Sequence, residues 1–394
     1  MQLILLVFLV AVSSAFRLDW DENVPGLLKG KIYRRNATEL KAYHQQQRIK
    51  HKYYDPAYPM EAMTTGLTIG EYEQLFFVNY ESGVDSAWIL DESYPSFNDG
   101  PGWRFNATGV NTTAIDAGRP FEALSGPYKV HGELYYDIVE EYEFINQSFG
   151  VVNKIDGKSE NPEFHWYTVG VLGFGWNPAL KDKPVTPDSS PTLNIFAHYF
   201  PGQPRYIIQE LCFFESDGQW HYGNNFFSNN ISTVCDTTPI VSVPLSLDTK
   251  LNTLTFQLDS FTFGKHETYG ETAKFDTGLP IFLLPVHAFN IVYNDIQPDY
   301  NFDVGVYTTD CANRGKFGDF IFKIGGVQLT VPSAYYIVDI GLNNGQCSLS
   351  VGYTYDDSTP YALGLPLQYN YCVKWDVDNT EIAFLQNKYP NPHD

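Results

Sequence analysis

Positive charge is scarce in this sequence. Only 18% of its 394 residues are charged, and 25 Lys or Arg face 46 Asp or Glu for a net −21. So acidic a chain repels phosphates, which excludes nucleic acid as an expected partner. Metal signatures are missing as well: nine His form no H-E-x-x-H pair and five Cys show no metal-site spacing, so neither a zinc site nor any other cofactor is expected. There is no G-x-S-x-G turn and no Gly-rich phosphate loop in a strand-to-helix setting. No segment after the N-terminus supplies about 20 uninterrupted apolar residues, so no membrane anchoring is expected. Sustained helical periodicity is rare too, confined to the N-terminal arm and the short run PVHAFNIVYNDI.

What is abundant is aromatic side chain, 16% of the total, which with the low charge indicates a folded, core-rich chain long enough for two domains or one bilobal unit. MQLILLVFLVAVSSAF runs apolar from Leu3 to Val12 and then reaches Ser13, Ser14 and Ala15, so residues 1–15 read as a signal peptide. The sequons at Asn36, Asn106, Asn111, Asn146 and Asn230 agree with passage through the secretory pathway. In an oxidising compartment Cys212, Cys235, Cys311, Cys347 and Cys372 imply disulfides with one sulfur left over. Pairing Cys212 with Cys235 would leave Cys372 free, but spacing alone does not fix it.

Charge is segregated along the chain. Up to Lys52 there are nine Lys or Arg against four Asp or Glu, leaving 16 basic and 42 acidic residues, a net −26, from Tyr53 onward. A basic arm over 16–52 would be held on the acidic body by electrostatics and released as carboxylates protonate. A solvated basic helix is the plainer reading.

Beyond Tyr53, runs such as EQLFFVNY, LNTLTFQL, DFIFKI, VQLTV and SAYYIVDI, broken by Gly, Pro, Asn and Asp, indicate an all-β architecture. Gly325 and Gly326 sit between two such runs as a hairpin turn. A coarse repeat is also present. FFVNYESG is followed by VLG, with Gly173 lying 92 residues after Glu81, and TAKFDTG is followed by ALG, with Gly364 lying 88 residues after Asp276. Two lobes of similar plan, over 53–235 and 236–394, would each bring one acidic turn to a shared cleft.

Two carboxylates a few ångströms apart share one proton, because both cannot ionise in a low-dielectric site. One then takes a proton from water that attacks a peptide carbonyl, and the other polarises that carbonyl. The hydroxyl after each carboxylate can bond across the pair, and the glycine allows close backbone approach. The candidate residues are therefore Glu81 and Asp276 as the acids, with Ser82, Gly83, Thr277 and Gly278 beside them.

On these motifs the sequence resembles the pepsin-like aspartic proteases over nearly the whole chain after Tyr53. LTIGEYEQLFFVNYESGVDSAWIL resembles the first-lobe stretch, with Gly70, Gln74, Phe76, Val78 and Trp88 at matching spacings. AKFDTGLPIFLLP is similar to the second-lobe turn, DFIFKIGGVQLTVPSAYYIV to a second-lobe strand pair, and YALGLPLQYNYCVKWDVDN to the closing stretch. The resemblance implies an all-β bilobal fold of two related β-barrel-like lobes with a central cleft, a disulfide between Cys311 and Cys347, a prosegment-like role for the arm, a peptide or protein ligand, and a monomer.

The departures fall on catalytic positions. Glu81 stands where the family has its first aspartate, and the added methylene is expected to push the carboxylate about 1.5 Å further along. Val84 and Leu279 stand where the family has a Ser or Thr that supports each carboxylate. In the flap, Ser125 of LSGPYKVH takes the tyrosine's place, Tyr128 lies three residues on, and Pro127 removes a backbone donor. Trp88, the usual partner of that tyrosine, is kept. The expectation is a secretory-pathway or lysosome-like protein that binds peptide chains in its cleft with weak or lost proteolysis. The alternative is an acid endopeptidase using a Glu81/Asp276 dyad.

Overall fold

The computed structural model describes residues 27–34, 61–70, 74–94, 104–107, 109, 112–125, 128–139, 145–156, 169–213, 221–227, 235–342, 344–354 and 359–388. Strands dominate the described residues. The first half carries β1 (Leu27–Arg34), β2 (Glu61–Ile69), β3 (Gln74–Glu81), β4 (Ala87–Leu90), β5 (Ile115–Ser125), β6 (Tyr128–Val139), β7 (Ile145–Asp156), β8 (Gly170–Gly173), β9 (Tyr206–Phe213) and β10 (His221–Phe227). All ten belong to one thirteen-stranded sheet. The closing strands Tyr371–Asp376 and Glu381–Gln386 join it through β9, so the sheet draws strands from both halves of the chain. The second half adds an eight-stranded and a four-stranded sheet.

Alternation in the sequence explains these strands. In β3 every second side chain, Phe76, Val78 and Tyr80, is buried. In Phe320–Ile324 the buried residues Phe320, Phe322 and Ile324 alternate with half-buried Ile321 and Lys323. That strand turns through Gly325 and Gly326, at φ 54° and 81°, into Val327–Val331 as a hairpin. The helix expected at PVHAFNIVYNDI is present as Val286–Ile296.

The arm departs from a helical reading. Its segment Leu27–Arg34 is strand β1, inserted between β10 and β2, with Leu27 opposite Phe226 and Lys31 opposite Thr64. The remainder of the arm and the signal segment lie outside the described residues.

One large core joins both halves, and a small apolar cluster sits under each acidic turn. Val84 belongs with Trp88, Leu90, Phe121 and Val171 in the first of these, and Leu279 with Ile281, Val306, Ile340 and Ala362 in the second. Each aliphatic side chain that follows a turn is thus a core residue of its own lobe, a burial that stabilises by about 1.5–3 kcal/mol.

Two disulfides hold the second half. Cys311 is bonded to Cys347, and Cys235 to Cys372 across 137 residues. The alternative pairing of Cys212 with Cys235 is therefore not formed. Cys372 lies on the closing strand next to β9, so folding brings it to Cys235 from far along the chain.

Candidate active site

The two acidic turns are built to one plan. β3 leads into the first turn, and β8 pairs parallel with the end of β3, Glu81 facing Gly173, while pairing antiparallel with β4. In the second half, His266–Phe275 leads into the other turn. Tyr361–Leu363 pairs parallel with it, Phe275 facing Leu363, and antiparallel with Phe282–Pro285. The two Leu-Gly pairs noted in the sequence are therefore the strands that brace the turns. A Cβ on Gly173 would lie 2.4 Å from the Val84 carbonyl oxygen, and one on Gly364 would lie 2.3 Å from that of Leu279. Only glycine lets backbone come so close.

The turns meet across the lobes in a reciprocal hydrogen-bond exchange. The Ser82 amide donates to Thr277 Oγ1 at 3.0 Å and the Thr277 amide to Ser82 Oγ at 3.1 Å. The Thr277 hydroxyl donates to the Tyr80 carbonyl at 3.0 Å, and the Ser82 hydroxyl reaches the Phe275 carbonyl at 3.4 Å. Thr277 is fully buried and Ser82 nearly so. In this dry setting the exchange fixes the relative position of the two turns.

Glu81 and Asp276 are both buried, and each lies over the other turn's glycine. A Cβ on Gly83 would be 2.6 Å from Asp276 Oδ2 and 2.8 Å from its Cγ. A Cβ on Gly278 would be 2.6 Å from Glu81 Cγ, 2.9 Å from its Cδ and 3.1 Å from its Oε1. The two carboxyl carbons thus stand at nearly equal distances, 2.8 and 2.9 Å, from the points where the opposing glycines would carry a Cβ. The nearest atom differs, being the Glu81 methylene at Gly278 and a carboxylate oxygen of Asp276 at Gly83.

The surroundings of Asp276 held a residue that the sequence reading did not single out. Its Oδ1 accepts from the Gly278 amide at 3.0 Å, and its Oδ2 receives the Lys274 ammonium at 3.1 Å. The side chains of this ion pair are only 15% and 4% exposed. The signal was a lysine two residues before the acid of the second turn, which period-2 geometry places on the same face as Asp276.

Of the other expected site residues, Trp88 is fully buried in β4 within the first small cluster. Tyr128 and Ser125 are backbone partners at the end of the β5–β6 hairpin, with Gly126 and Pro127 outside the described residues. Their side chains lie outside the described set too. Beyond the first turn Asp85 is half-buried; burial raises its carboxyl above the usual range, partly opposed by its own backbone amide and by Asn252, whose Nδ2 donates at 3.3 Å. Among the sequons, Asn146 is exposed on β7 and Asn106 is half-buried, whereas Asn36, Asn111 and Asn230 lie outside the described residues.

No helix among the described residues is long and apolar enough to cross a membrane. Comparison with known proteins agrees with the geometry. The sequence model of the eukaryotic aspartyl protease family matches residues 63–387. The chain is 26% identical to aspartic protease 1 and 24% identical to aspartic protease 17 of Caenorhabditis elegans, in each case over 98% of both chains. It is 28% identical to pregnancy-associated glycoprotein 1 of Sus scrofa over 69% of this chain and 66% of that one. With two braced acidic turns exchanging hydrogen bonds across an all-β bilobal fold, this chain belongs to the eukaryotic aspartyl protease family.

Proposed function

We propose that the cleft between the lobes binds extended peptide or protein segments and hydrolyses them weakly or not at all. The observation that carries this reading is that the residue following each acidic turn is a buried aliphatic one with no hydroxyl to offer. Val84 and Leu279 are 4% and 5% exposed and belong to apolar clusters, so neither can hydrogen-bond a carboxylate. Hydrolysis needs both carboxylates held in orientation as well as position, and removing such supports costs several kcal/mol of transition-state stabilisation. Peptide binding along a cleft needs less. The chain travels the secretory pathway, with residues 1–15 removed and the arm over 16–52 held both by the pairing of β1 in the sheet and by its positive charge until the medium is acidic. Lobes over 53–235 and 236–394 form a monomeric body, and the ligand chain runs between them.

A second reading, an acid endopeptidase with a Glu81/Asp276 dyad, is favoured by one observation: the carboxyl carbon of Glu81 stands nearly as close to the point where the opposing glycine would carry a Cβ as that of Asp276 does. The experiment that separates the readings measures cleavage of a denatured protein at about pH 4, where a shared-proton dyad is competent. Wild type, Asp276→Asn and Glu81→Asp are compared on chain freed of its arm. The binding reading expects no cleavage by wild type above the Asp276→Asn background. Cleavage by wild type that Asp276→Asn abolishes would overturn it and establish the endopeptidase.

A further inference from the structure

Lys274 brings a positive charge into the centre of the site, and neither the family membership nor the proposed function uses it. Its ammonium sits 3.1 Å from Asp276 Oδ2 in a pair whose side chains are 15% and 4% exposed. Oδ2 is also the oxygen that faces the first turn, since it is the atom nearest to where a Gly83 Cβ would lie. The lysine therefore contacts the Asp276 oxygen that lies nearer the first turn, the turn that carries Glu81. That is where two facing carboxylates would hold the proton they share.

The charges match. Two carboxylates with one shared proton carry a net −1, and two ionised carboxylates with one ammonium also carry −1. A shared carboxylic proton is lost as the medium approaches neutrality, whereas a lysine ammonium keeps its charge through that range. We infer that Lys274 is a positioning residue that stands in for the shared proton at Asp276, so that the cleft holds a peptide carbonyl or hydroxyl without acidification. This rests on the reading of the cleft as a peptide-binding site.

Among the described residues, Lys274 is the cation in contact with the Asp276 carboxylate. The strand next to it in the sheet, Tyr361–Leu363, places Ala362 opposite Lys274, and Thr253–Phe263 places Phe256 opposite Ala273. Glu271, earlier on the same strand, pairs with His287 at 3.2 Å. From the first lobe the ionisable groups on the turn are Glu81 and, further along, Asp85, which is tied to Asn252. Both of those are acids, so neither can replace the ammonium.

The test is the pH dependence of ligand binding. A fluorescent peptide with a secondary alcohol in place of its central amide is titrated against wild type, Lys274→Met, Lys274→Arg and Asp276→Asn, each verified as folded by circular dichroism. Wild type and Lys274→Arg are expected to change affinity less than about threefold between about pH 4 and 7, and Lys274→Met to lose about tenfold or more over that interval. The same profile for Lys274→Met as for wild type would overturn the proposal. So would a loss in Lys274→Arg equal to that in Lys274→Met, since it would mean that lysine shape rather than charge matters. Binding by wild type that Asp276→Asn leaves unaltered, or no binding at any pH, would instead overturn the cleft reading on which the proposal depends.

Discussion

Replacing Thr277 by valine tests whether the hydrogen-bond exchange between the turns holds the two lobes together. The change keeps the side chain's shape and removes one oxygen. That oxygen accepts from the Ser82 amide and donates to the Tyr80 carbonyl, both at 3.0 Å, in a residue with no solvent exposure. Leaving the amide buried without an acceptor costs about 1–3 kcal/mol, and the carbonyl, which has a second lone pair, costs less. The valine methyl returns about 0.8 kcal/mol of apolar burial. The expected loss is about 2 kcal/mol. Ser82→Ala strands the Thr277 amide and gives up only a long contact to Phe275, with no methyl gained in return, so about 2 kcal/mol is again expected. Once one hydroxyl is gone the turns can separate, so the double variant should cost less than the sum, with a coupling of about 0.5–1 kcal/mol. Urea unfolding followed by tryptophan fluorescence reads this, with each cooperative transition fitted separately because two lobes need not unfold together. Thr277→Ser should stay close to wild type. A Thr277→Val variant within about 0.5 kcal/mol of wild type, or strict additivity in the double variant, would refute the reasoning.

Three further outcomes are expected. Gly83→Ala places a Cβ 2.6 Å from Asp276 Oδ2 and should displace that carboxylate, weakening peptide affinity by about tenfold while the thermal midpoint moves little, as titration and calorimetry would show. Asp85 has its carboxyl raised by burial, so it favours the fold in its protonated form; that contribution is present in acid and lost as pH rises through its folded value. Stability measured from about pH 4 to 7 should accordingly fall less steeply in Asp85→Asn than in wild type. Replacing Cys235 and Cys372 by serine opens a loop of 137 residues and, on the chain-entropy account, costs about 5 kcal/mol, more than the roughly 4 kcal/mol for Cys311 and Cys347 with 36; thermal melts of the two double variants check the order.

The bilobal fold was legible because two local signals recur in both halves: an apolar strand running into an acidic turn, and a Leu-Gly pair about 90 residues on. Those pairs had meaning only if a parallel strand braces each turn, and β8 and Tyr361–Leu363 do that. What escaped the sequence depends on contacts between distant elements. Cys235 meets Cys372 because the closing strands add to the edge of β9, a pairing that no spacing along the chain encodes. Strand β1 was hidden by its lysines and arginines, which read as a charged arm; as a strand, Leu27–Arg34 completes its backbone hydrogen bonds between β10 and β2, whatever its charge. Lys274 was visible as a letter, but its return to Asp276 requires both to be shielded from water.

The glutamate poses the sharper question, and its answer depends on oxygens rather than carbons. An extra methylene suggests a misplaced carboxylate, yet the two carboxyl carbons sit 2.8 and 2.9 Å from the points where the opposing glycines would carry a Cβ. The two distances are therefore nearly equal. The atoms nearest those points differ, since on one side it is an oxygen of Asp276 and on the other the Cγ methylene of Glu81. That oxygen of Asp276 is in turn engaged by Lys274. An activated water would have to reach oxygens of both carboxylates, and one of these is already in contact with the Lys274 ammonium. Near-attack geometry tolerates little displacement, whereas a bound peptide needs only some donors and acceptors along the cleft. This asymmetry supports the proposed reading of a site that holds a chain rather than cutting it. It also means that Glu81→Asp alone should restore less hydrolysis than Glu81→Asp combined with Lys274→Met, because each change frees only one side of the site. Equal cleavage by the single and the combined variant at about pH 4 would show that Lys274 does not obstruct the water.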